Sequence, residues 1–127
     1  MSTLRESLAE MMEIEGATGA AVVDYDSGVT LGTIGGDVLD MELAGAGTTR
    51  VMHLVREVLR DNAVDEPIED VLVSLDGQYH LTRFSEKHDS IFTYLVLDRS
   101  ASNLALARRQ LAAIEATLAL DESDEET

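Results

Sequence analysis

The chain contains no cysteine. Disulfides, thiolate catalysis and cysteine-based zinc sites are therefore excluded, and a reducing compartment is compatible with the composition. Proline occurs once, at Pro67, and lysine once, at Lys87. Basic residues are scarce: 9 Lys and Arg stand against 25 Asp and Glu, for a net charge of −16. Nucleic-acid binding needs a basic patch to displace phosphate counterions, and none is visible, so no nucleic-acid partner is expected. No apolar run approaches the ~18 residues of a membrane helix, so no membrane insertion is expected. The opening Met-Ser-Thr-Leu-Arg-Glu-Ser-Leu lacks a basic stretch followed by an apolar one, so no secretory signal is expected and the cytoplasm is the expected location.

What is present suffices for a core. Hydrophobic residues make up 45% of 127 residues, which fits one domain that buries roughly two-thirds of its unfolded surface. The expected domain spans 1–120. The segment 121–127 holds five acids and no apolar residue, and is expected to be a disordered acidic tail. The body is acidic without it. Such acidity serves solubility, or steering toward a basic partner.

Periodicity predicts the elements. A first helix is expected over Leu4–Glu13, opened by a Thr3/Glu6 capping box and carrying Leu4, Leu8, Met11 and Met12 on one stripe. The apolar run Ala20–Tyr25 predicts a buried strand. Asp26-Ser27-Gly28 is turn chemistry, and Val29–Ile34 completes a hairpin. A second helix is expected over Asp40–Asp61 with Asp40 as N-cap. Leu43, Val51, Leu54, Val55 and Val58 form its expected apolar face, and Arg50, Arg56, Glu57 and Arg60 its wet side. Gly45 and Gly47 in its first half each cost about 1 kcal/mol relative to Ala, so a close approach there is expected.

Three further strands follow: Ile68–Leu75, Gln78–Phe84 after the Asp76-Gly77 turn, and Ile91–Leu97. A last helix over Asn103–Leu120, with Ser102 as N-cap, carries Leu104, Ala107, Leu111, Ile114 and Leu118 as a packing seam. The order α-β-β-α-β-β-β-α predicts an α/β (α+β) fold: a five-stranded, mostly antiparallel sheet. The first and last helices are expected on one face and the second helix on the other.

No constellation carries catalysis. His53, His80 and His88 lack the spacing of a helical metal site. Gly32–Gly36 and Gly45–Gly47 are followed by no lysine, so neither is a phosphate-binding loop. Asp24 and Asp26 are turn residues, Glu69-Asp70 has no calcium-loop spacing, and Ser27 and Ser74 have no nucleophile-elbow context. No catalytic residue, cofactor or metal is expected. Arg56 and Arg60 are one helical turn apart with Arg50 nearby, so they form either a solvated face or a local basic patch for partner contact.

The segment Glu15-Gly16-Ala17-Thr18-Gly19-Ala20-Ala21-Val22-Val23-Asp24-Tyr25-Asp26-Ser27-Gly28, between a helix and a second strand, resembles the opening of bacterial Roadblock/dynein-light-chain domains. Val71–Leu75, Asp76-Gly77, Tyr79-His80-Leu81 and the closing helix follow in matching order. The resemblance covers about residues 3–120. It implies a profilin-like arrangement and a non-enzymatic, cytoplasmic signalling protein. It further implies dimers in which the third strand and second helix of each protomer meet at a two-fold axis, and binding to a small Ras-like GTPase, with a sensor-kinase-like protein as a further partner. The expected dimer residues are Gly45, Gly47, Val71 and Val73; the expected partner contacts are Arg50, Arg56 and Arg60. Two alternatives remain open: a purely structural assembly module, and a small-molecule sensory domain of PAS or GAF type.

Overall fold

A computed structural model describes residues 3–37 and 39–119. The expected tail at 121–127, and with it the domain boundary at 120, lies outside the described residues. The elements are α1 (Leu4–Met12), β1 (Ala17–Asp24), β2 (Thr30–Gly35), α2 (Met41–Asp61), β3 (Asp70–Ser74), β4 (Gln78–Phe84), β5 (Ile91–Asp98), a 3₁₀ turn (Arg99–Ala101) and α3 (Leu104–Ala116). The five strands form one sheet in the order β2-β1-β5-β4-β3, with every neighbouring pair antiparallel. The expected order and sheet are both observed.

Local chemistry sets the boundaries. Thr3 Oγ1 accepts from the Glu6 N–H and Glu6 Oε1 from the Thr3 N–H, so the capping box closes at the start of α1. Asp40 Oδ1 accepts from the N–H groups of Glu42 and Leu43, so α2 does begin before its glycines. Asn103, rather than Ser102, caps α3, through the Leu106 N–H at 3.0 Å. β1 starts at Ala17, earlier than expected, because Ala17 pairs with Leu97 of β5. Gly28, with φ +78°, turns β1 into β2.

The sheet is covered on both faces. Leu8 and Met11 of α1 meet Ala107 and Leu111 of α3 over Ala20, Val22, Leu81, Leu95 and Leu97. On the other face, Met41 and Met52 of α2 pack on Ala21, Val23, Phe92 and Val96. Burial from both sides explains why β1 and β5 are apolar nearly throughout, as central strands between two helical layers must be. β2 and β3 are the edges. On the α1/α3 side, β3 is tied to α3 by a two-pronged ion pair, Arg108 Nε and Nη2 to Asp70 at 3.1 and 3.2 Å.

α2 departs from expectation in one respect. The stripe expected to face the sheet faces water: Leu43 is 72% exposed, Leu54 60%, Val58 58% and Val51 49%. The sheet-facing stripe is Met41, Gly45, Thr49 and Met52. Its small members let the helix lie close to the sheet. A Cβ on Gly45 would stand 3.1 Å from both Val23 Cγ2 and Thr30 Oγ1. Thr49 satisfies its buried hydroxyl on the Gly45 carbonyl at 2.8 Å.

Candidate partner-binding face

Leu43, Val51, Leu54 and Val58 leave an apolar stripe of α2 uncovered on the described protomer. Residues at 43, 51, 54 and 58 recur at helical spacing and share one side of α2. β3 adds to the same side of the sheet. Val71 packs partly against the α2-side core, and Val73, two positions on, is 47% exposed. β3 has only β4 as a neighbour, so its outer backbone N–H and C=O groups line a free edge.

The expected dimer residues divide by position. Gly47 is on the outer side, where an added Cβ would meet only Arg50 at 3.8 Å. Val73 is exposed and Val71 half-buried. Gly45 is buried against its own sheet, so its close approach lies within the protomer.

The expected cations divide too. Arg50 and Arg60 are exposed. Arg56 does not project as a free charge: its guanidinium lies 4.4 Å from the Tyr25 ring centroid and 3.9 Å from that of Phe84. Tyr25 and Phe84 meet edge to face at 5.4 Å, and His53 stacks on Tyr25 at 4.0 Å while its Nε2 bonds the Tyr25 carbonyl oxygen. Cation and aromatic faces thus lock the C-terminal half of α2 to the ends of β1 and β4. The wheel position of Arg56 predicted a solvated charge because the rings that hold it come from distant segments.

Beside this stack, a cleft of about 690 Å³ opens between the end of α2, the following loop and the β4–β5 loop. Arg56 and Arg60 line it with Asp65, Glu66, Glu86 and Asp89. The Arg pair therefore sits among acids rather than forming a cationic patch.

Two polar groups lie deeper. Arg83 and Glu115 are both buried and pair at 3.5 Å between β4 and α3, and Glu115 Oε2 also accepts from the Glu86 N–H at 2.8 Å. On the α2 side, His80 Nδ1 lies 2.8 Å from the Tyr94 hydroxyl and His80 Nε2 2.8 Å from Gln78 Oε1. Burial pushes the His80 imidazole below its ordinary value and the Tyr94 phenol above its own, the latter partly offset by a hydrogen bond from Thr48. Among the described residues no cluster of three or more His, Cys, Asp or Glu could hold a metal ion. No described helix is long and apolar enough to cross a membrane.

No protein-family model matches the sequence. No curated protein matches it either. Solved structures do match in fold. A Roadblock/LC7 domain from Streptomyces avermitilis superposes with a TM-score of 0.78 at 16% identity, covering 90% of this chain and 92% of that one. Myxococcus xanthus MglB gives 0.74 at 11% identity, over 88% and 90%. The gliding protein MglB from Thermus thermophilus gives 0.66 at 15% identity, over 87% of each chain. The chain therefore has the Roadblock/LC7 fold, as its resemblance implied.

Proposed function

We propose that this protein is a non-enzymatic regulator or scaffold that dimerises through α2 and the β3 edge and, as a dimer, binds a small Ras-like GTPase. The observation that carries the dimer is the outward stripe Leu43, Val51, Leu54 and Val58 beside the exposed Val73. Scattered exposed apolar residues are ordinary, but a stripe along one helix beside a free strand edge marks an interaction surface. A second copy seats naturally there: β3 edges pair across a two-fold axis while the α2 stripes pack over them.

The GTPase part rests on the fold. Roadblock domains bind such GTPases, and fold likeness is an analogy rather than a site argument. Exposed Arg50 and Arg60, rather than Arg56, are the cations of α2 offered to that partner, with a sensor-kinase-like protein as a further member of the system. The purely structural reading is favoured by one observation: the expected basic patch is broken up, with Arg56 stacked and Arg60 beside four acids.

Calorimetric titration of the purified protein against the small Ras-like GTPase of the same cell, loaded with GDP or a non-hydrolysable GTP analogue, separates these readings. Binding in either state supports the GTPase partner. A stable dimer that binds neither form returns the function to assembly alone.

A further inference from the structure

We propose that the cleft at the C-terminal end of α2 is a docking groove for a short basic segment of a partner protein, a lysine or arginine flanked by apolar side chains. Such docking requires neither the dimer nor the GTPase.

The groove has an apolar floor and charged walls. Leu59, Val64, Ile68 and Phe84 line a space of about 690 Å³, and Val64 is 39% exposed there. One wall is α2, with Arg56 and Arg60. The loop after α2 brings Asp65 and Glu66, and the β4–β5 loop brings Glu86 and Asp89. Carboxylates thus outnumber guanidiniums by four to two in the lining, in a chain of net charge −16. Arg56 is already engaged over the Tyr25 and Phe84 rings. The ion pairs among the described residues use Asp70, Glu86 and Glu115, and leave Asp65, Glu66 and Asp89 unpaired. An incoming anion meets like charge in this groove, whereas a cation relieves it.

Both loop walls are held by hydrogen bonds of their own. The Ala63 N–H donates to the Arg60 carbonyl at 3.1 Å and the Val64 N–H to the Leu59 carbonyl at 2.9 Å, which fixes the loop at the end of α2. Across the groove, Ser85 Oγ accepts from the N–H groups of Lys87 and His88 at 3.1 and 2.9 Å. Glu115 Oε2 accepts from the Glu86 N–H at 2.8 Å. A groove formed in advance spares a partner the cost of ordering it.

Lysine and arginine match this lining because each joins an apolar stem to a charged head. The stem lies on the floor and the head meets carboxylates from either loop, while the guanidiniums of α2 turn it toward those loops. Apolar neighbours in the segment cover Val64 and Ile68. The groove also stays open when the outer stripe is covered. Arg56 and Arg60 each follow a stripe residue, Leu54 and Val58, by two positions, which is about 200° around a helix.

Fluorescence anisotropy on the full chain, with labelled Leu-Lys-Leu-Lys-Leu and Leu-Glu-Leu-Glu-Leu peptides, tests this at about 20 and about 200 mM salt. The lysine peptide should bind saturably with a dissociation constant below about 1 mM, and more weakly at the higher salt. Asp65→Asn, Glu66→Gln and Asp89→Asn together should lower its affinity roughly tenfold, three exposed charge contacts amounting to about that factor. Glu10→Gln, Glu13→Gln and Glu15→Gln remove the same charge from exposed positions at the end of α1, and should leave affinity within about twofold. Amide NMR shifts of the wild type on adding the lysine peptide should centre on 59–68 and 84–89. The proposal is overturned by an absence of saturable binding, by equal binding of the glutamate peptide, by an equal loss in the charge-matched control, or by shifts centred elsewhere. The shift map needs the wild type alone, so it decides even where the neutralised variant fails to fold.

Discussion

The guanidinium of Arg56 lies over the ring of Phe84, 3.9 Å from its centroid, and so joins α2 to the far end of β4. It covers Tyr25 of the β1–β2 turn in the same way. Reversing its charge sets a carboxylate against two aromatic faces that favour cations. Arg56→Glu should cost about 0.5–2 kcal/mol, whereas Arg60→Glu, on an exposed residue, should stay within about 0.5 kcal/mol. Urea titration of the two single variants checks the difference. Equal midpoints would mean that the stack contributes nothing in solution.

Leu111 is fully buried between α1 and the sheet. Leu111→Ala should cost about 2–5 kcal/mol, the range for deleting a buried leucine side chain with partial collapse of the cavity. A loss near zero in chemical denaturation would show that α3 is not docked on this face.

Removing Glu115 should be among the more damaging changes outside the apolar core. Its carboxylate is 2% exposed and faces the buried Arg83 guanidinium. Glu115→Ala leaves that charge with only the exposed Glu86 carboxylate, 3.4 Å away, as counter-ion and also takes away the acceptor of the Glu86 N–H. Breaking one side of such a pair costs about 3–5 kcal/mol. Thermal melts of Glu115→Ala and Glu115→Gln give the comparison, with the amide expected to recover part of the loss through hydrogen bonding.

Gly45 tests how closely α2 must lie on the sheet. The Cβ of alanine alone would already press on Val23 and Thr30, and the two extra methyl groups of valine have nowhere to go. Gly45→Val should destabilise by about 1–3 kcal/mol through overpacking. A neutral outcome would require α2 to lift from the sheet.

Most of the fold is legible in the sequence because its signals are local. The Thr3/Glu6 box, Asp40, the Gly28 turn and the apolar runs of β1 and β5 each specify an element within a few residues. The face of α2 is a different matter. Helical periodicity finds the helix, but two stripes share it, and burial in a core and burial in a partner demand the same side chains. The richer stripe, Leu43 to Val58, reads as core; the inner one places the small Gly45 and Thr49 between Met41 and Met52, and the advantage of those small residues is close approach, which periodicity does not register. The Arg56 stack and the His80–Tyr94 pair join segments far apart in the chain, so no local pattern encodes them.

Leu54 offers the sharpest test of the interaction face. It lies near the middle of α2, 60% exposed, on the side away from the Gly45 contact with the sheet. In an isolated protomer, Leu54→Asp places a carboxylate in water and should change stability by no more than about 0.5 kcal/mol apart from helix propensity. In a dimer packed along this stripe, the same carboxylate would be buried without a partner, at a cost of several kcal/mol, so dissociation should rise by roughly a hundredfold or more. Assembly itself adds apparent stability by mass action, so the two effects must be read separately. Light scattering gives the mass, and far-ultraviolet circular dichroism at the same concentration gives the fold. The expected result is a helical, folded monomer from a dimeric parent. A variant that stays dimeric would remove the outer stripe of α2 from the interface, and one that unfolds would place Leu54 in the packing of the protomer.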